Sequence, residues 1–168
     1  EVENLPLPCC QTCELGRSRR CSHAAAQHFH SSAPCVPTTL CSLELTEQFL
    51  ITPQRLEAVM ELLHGHPMAQ ILPDVLRYYF EFHQAQGEGY QAQIHDLLTC
   101  MIALGQIDFE VVETTVDVEA ESPLLRGTSV ADLRNHWGRA HNARLVTSAD
   151  MEAAHQECLR GFTLLASR

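Results

Sequence analysis

Residues 107–118 run Ile-Asp-Phe-Glu-Val-Val-Glu-Thr-Thr-Val-Asp-Val, and their pattern decides how the chain is read. Ile107, Phe109 and Val111 alternate with Asp108 and Glu110. Val112, Thr114, Val116 and Val118 then alternate in the opposite phase. A period of two places alternate side chains on opposite faces, which is the pattern of a half-buried strand. The one-residue change of phase marks a β-bulge near Val111-Val112. A lone strand leaves a row of backbone groups unpaired, so this one needs a neighbour. Residues 40–50 are one candidate, and the same strand of a second copy, in a homodimer, is the other.

Helix signals surround the strand. Thr52-Pro53 reads as an N-cap followed by a first-turn proline. Leu56, Val59, Met60, Leu62 and Leu63 form one face, and Gly65 is a natural stop. A second helix starts near Pro73-Asp74, carries Val75, Leu76, Tyr79, Phe80 and Phe82, and ends by Gly87. A third runs from about Gly89 to Leu104, burying Ile94, Leu97, Leu98, Met101 and Ile102. Beyond the turn signals Glu121-Ser122-Pro123 and Gly127, Ser129 with Asp132 resembles a capping box and predicts a helix to about Leu145. Thr147 with Asp150 repeats the device before a last helix holding Met151, Ala154, Cys158, Leu159 and Phe162. The expected fold is mainly α: about five helices with one long bulged strand or small sheet, preceded by a Cys/His-rich irregular segment. The expected domains are that segment, residues 1–43, and an acidic, mainly helical body, residues 44–168.

Six of the eight cysteines, Cys9, Cys10, Cys13, Cys21, Cys35 and Cys41, crowd the first 41 residues, interleaved with His23, His28 and His30. Cys10-x2-Cys13 lets two thiolates reach one Zn²⁺ from a single tight turn, and Cys21-x-His23 completes a Cys3His set. His28, His30, Cys35 and Cys41 form a looser second set. The expected cofactor is therefore zinc, folding a segment that has little apolar periodicity of its own. Three other readings compete. The cysteines could pair as disulfides, given the dibasic-looking Arg17-Ser18-Arg19-Arg20. They could hold an iron–sulfur cluster with a distant thiol such as Cys100, or form an unliganded tail.

Charge narrows the partners. The chain of 168 residues carries a net charge of −10, and every one of its eleven basic residues is arginine. Residues 1–43 balance three acids with three arginines, so the whole excess lies in residues 44–168. Such a body repels a phosphate backbone, which disfavours nucleic acid as a partner. No apolar run approaches the roughly 18 residues of a membrane span.

Other chemistry is sparse. Glu152-x-x-His155 has helical i, i+3 spacing but reads as a solvated face. His136 and His141 could line a cleft with Asp132 and Arg139, or sit on a polar helix surface. His64 and His66 suit a helix C-terminus, where the dipole favours a cation. His83 and His95 read as structural histidines, Cys100 and Cys158 as core, and Tyr78, Tyr79, Phe80, Phe82 and Tyr90 as core and packing seam. No phosphate loop, nucleophile elbow, HExxH or dinucleotide fingerprint is present. The function expected from these residues is a non-enzymatic regulatory or adaptor protein, cytoplasmic, acting on a protein partner with a basic or mixed surface. The alternatives are a small metalloenzyme with an open coordination position, and a secreted, disulfide-stapled effector.

Overall fold

The computed structural model describes residues 37–167. Contacts divide these residues into two units, one formed by residues 37–45 with 109–149 and the other by 46–108 with 150–167.

The first unit is built on strands. β1 (Thr39–Cys41) runs parallel to β7 (Ala143–Ala149), and β4 (Phe109–Thr114) pairs antiparallel with the opposite edge of β7, giving the order β1-β7-β4. The register of β4 shifts between Glu110 and Val111, the bulge that the change of phase implies. β5 (Val116–Val118) then pairs antiparallel with β6 (Ser129–Ala131). Leu40, Val116, Val118 and Ala143 form the core, with Ala131 and Leu145 packed on it. Asn142 closes the junction from inside. Its Oδ1 accepts from Val116 N at 2.8 Å and its Nδ2 donates to Val116 O at 2.9 Å, so one buried amide stands in for a strand neighbour.

The second unit carries the helices. α1 (Leu43–Thr46) ends where this unit begins. α2 (Pro53–Leu62) starts at Thr52, whose hydroxyl accepts from Arg55 N. A 3-10 turn, Pro67–Gln70, leads into α3 (Leu72–Ala85), and α4 (His95–Ala103) and α5 (Met151–Ala166) follow. β2 (Leu50–Ile51) and β3 (Ala92–Gln93) form a short antiparallel ladder. Ile51, Leu76, Phe80 and Ala92 pack together under Leu56, Leu72 and Ile94.

The mainly α expectation is overturned. The described residues are 44% helix and 20% strand, an α/β architecture with a mixed sheet. The error lies mostly at 129–145, expected as a helix and found as β6, a series of turns, and the first three residues of β7. Asp132 does cap backbone donors, but those of a turn: its carboxylate accepts from His136 N at 2.9 Å and Trp137 N at 2.7 Å. Asn135 (φ 53°) and Gly138 (φ 59°) stand in the left-handed region, which an α-helix does not visit. The single strand read at 107–118 is instead two, β4 and β5, in separate sheets; β4 finds its partner in β7 of the same chain, and residues 39–41 join the sheet on the far side of β7. The third helix begins at His95 rather than Gly89, because Ala92 and Gln93 are used as a strand against Ile51 and Leu50.

Candidate acid–base site

Four hydrogen bonds place His95. The β2–β3 ladder continues for one more bond, Ile94 N donating to Phe49 O at 3.1 Å. That bond ties the start of α4 to the turn 46–49, which is itself closed by Phe49 N donating to Thr46 O at 3.2 Å. Thr46 is thereby set beside His95, with 2.9 Å between Thr46 Oγ1 and His95 Nδ1. Thr46 is 2% exposed, so this contact is shielded from water on the Thr46 side. From within α4, Thr99 Oγ1 donates to His95 O at 3.1 Å.

The surroundings of this half-buried imidazole disfavour its protonation. Burial lowers its pKa from the usual histidine value, the carboxylates of Glu47 and Asp96 pull it back up, and His83 pushes it down again. Standing in the first turn of α4 also disfavours a cation. His83, near the end of α3, is buried and donates from Nδ1 to Glu88 Oε2 at 2.6 Å. The result is an imidazole with one nitrogen anchored, two carboxylates in electrostatic reach, and a lowered proton affinity. Such a group can move a proton near neutral pH.

The expected zinc site falls almost wholly outside the described residues. Cys10, Cys13, Cys21, His23, His28, His30 and Cys35 lie outside the described residues. Cys41 is buried on β1 opposite Val146. Among the described residues no group of three or more His, Cys, Asp and Glu side chains could hold a metal ion. Of the remaining sequence candidates, Arg139 pairs with Asp117 at 2.8 Å and stacks on Trp137, while His66 Nδ1 caps the 3-10 turn by accepting from Met68 N. Cys158 is buried as expected, but Cys100 is exposed. Only Phe80 of the aromatic run is core, whereas Tyr78, Tyr79, Phe82 and Tyr90 are exposed.

His155 departs from its reading as a solvated residue. It is 8% exposed, stacks on Phe49 with ring centroids 4.6 Å apart, and its Nε2 meets Arg55 Nη1. Arg55 also donates to Leu50 O at 2.7 Å. Beside this pair lies a cavity of about 140 Å³ lined mainly by Ile51, Ala58, Val59, Cys158 and Leu159.

The sequence reading took His95 for a structural histidine. The one local signal is the neighbouring carboxylate Asp96 at a helix start. The group that anchors the ring, Thr46, lies 49 residues away.

The fold is a mixed-sheet α/β architecture, and the site is an anchored imidazole with two carboxylates in electrostatic reach. The family follows from comparison with known proteins. Residues 22–156 match the model of the inosine-uridine preferring nucleoside hydrolases, and the chain belongs to that family. It is 26% identical over 118 residues to the pyrimidine-specific ribonucleoside hydrolase RihA of Shewanella sp. (strain MR-7), covering 70% of this chain and 36% of that protein. The RihA protein of Salmonella typhi gives 26% identity over 118 residues, with 70% and 37% covered. The chain thus spans little more than a third of these curated relatives. Its fold resembles the purine-preferring ribonucleoside hydrolase from Gardnerella vaginalis, with a TM-score of 0.66 and 19% identity over 85% of this chain and 44% of that one. An inosine-guanosine nucleoside hydrolase gives a TM-score of 0.66 at 17% identity, over 87% of this chain and 45% of the other. Membership of a hydrolase family overturns the expectation of a non-enzymatic regulatory adaptor.

Proposed function

We propose that this chain contributes to hydrolysis of the N-glycosidic bond of ribonucleosides, with His95 as its proton-handling group. The match of residues 22–156 to the nucleoside hydrolase family carries the reading. In that reaction the bond between C1′ of the ribose and a base nitrogen breaks. Water oxygen bonds to C1′, and the base leaves with a proton. A departing base without that proton is a poor leaving group, so a positioned imidazole lowers the barrier directly.

The test is release of free ribose from uridine, cytidine and inosine by the folded protein. His95→Asn is expected to lower kcat by about a hundredfold or more. A folded wild-type protein that releases no ribose from any of the three would overturn the assignment.

A further inference from the structure

We propose that Thr46 is the positioning residue of His95: its hydroxyl accepts Nδ1–H and so makes Nε2 the nitrogen that gains and loses the proton. The proposal rests on the reading of His95 as the proton-handling group. Its geometry stands apart from that reading. Thr46 Oγ1 lies 2.9 Å from Nδ1, and both residues are held by main-chain bonds, Thr46 through Phe49 N and the start of α4 through Ile94 N to Phe49 O. The contact joins residues 49 apart, each lying just beyond the paired strands β2 and β3.

A neutral imidazole in water prefers its proton on Nε2, so a ring meant to accept there must be held in the other tautomer. The hydrogen bond at one nitrogen decides which tautomer is present. With Nδ1–H donated to Thr46, neutral His95 has a lone pair at Nε2. Taking a proton there gives the imidazolium, and returning it restores the starting form. In both states Nδ1 keeps its proton and Thr46 stays the acceptor, so nothing around the ring has to reorganise. The charged and titratable groups facing the ring are Glu47, next to Thr46, Asp96 on α4, and His83 on α3, itself bonded to Glu88. Both carboxylates stabilise the imidazolium, which lets the ring hold the proton between its two transfers.

The tautomer is read from the ¹⁵N shifts of His95 in the whole chain, for wild type, Thr46→Ser and Thr46→Val. Wild type and Thr46→Ser should show neutral His95 as Nδ1–H. Thr46→Val, which keeps the shape and removes the hydroxyl, should show Nε2–H. Kinetically, Thr46→Val should lower kcat about tenfold or more while KM stays within about twofold, and Thr46→Ser should restore it. A wild-type ring found as Nε2–H overturns the proposal without any variant, as does a Thr46→Val protein that retains Nδ1–H. If the tautomers behave as expected but His95→Asn leaves ribose release unchanged, the reading of His95 falls and the positioning role falls with it.

Discussion

Asn142 shows how much a single side chain can carry in this fold. Its amide satisfies both the N–H and the C=O of Val116, at a residue 8% exposed. Asn142→Ala leaves both backbone groups buried without that partner, and each such group costs about 1–3 kcal/mol. The expected outcome is a fall of about 2 kcal/mol or more in unfolding free energy, read from the shift of a urea midpoint at unchanged slope. His155 makes a second prediction at this scale. Burial lowers its pKa below the usual 6.5, the Arg55 guanidinium adds to that, and Glu152 opposes it. His95 is lowered as well, chiefly by burial. Between those lowered values and 6.5 the unfolded chain binds protons that the folded chain does not, so stability is fully present above that window and is lost as pH falls through it. The melting temperature should therefore drop between about pH 7.5 and about pH 5.5, and His155→Phe, which keeps a ring on Phe49, should flatten the slope.

At the scale of elements, the ends of α2 and α5 were legible because their signals are local. Thr52-Pro53 starts α2 as read, and Asp150 starts α5, its Oδ1 accepting from Ala153 N at 2.9 Å. The last helix was placed correctly, but Asp150, and not Thr147, is its cap; Thr147 belongs to β7. Asp150→Ala should cost about 1 kcal/mol, seen as a lower denaturation midpoint with α5 still formed in the folded state. The bulged strand was legible for the same reason, since alternation and its slip are written in consecutive residues. Its partner was not. β7 reads ARLVTSA, a run with weak alternation, and it becomes a strand because β4 and β1 supply hydrogen bonds on both of its edges. The Ser129–Asp132 spacing pointed to a helix that tertiary pairing overrode.

For the whole molecule, charge makes a prediction about substrate class. The net charge of −10 that disfavours nucleic acid also disfavours any phosphorylated substrate, while leaving a neutral nucleoside unaffected. Uridine should be hydrolysed with a kcat/KM about tenfold or more above that of its 5′-monophosphate at low salt. The gap should narrow as added salt screens the chain. Equal rates for the two at low salt would show that the net charge plays no part in selection.

The sequence by itself determined the helix start at Thr52, the presence of a last helix, the bulged alternation within 107–118, and the acidic charge balance, because each depends on composition or on residues within a few turns of one another. Only the tertiary structure decided that 143–149 is a strand, that the sheet is mixed, and that Thr46 anchors His95. Those outcomes join residues some 30 to 105 positions apart, through backbone bonds and a hydroxyl that carry no local pattern. The crowded cysteines drew attention toward a metal because ligand spacing is local. The site that geometry supports is assembled from distant residues whose types are individually commonplace.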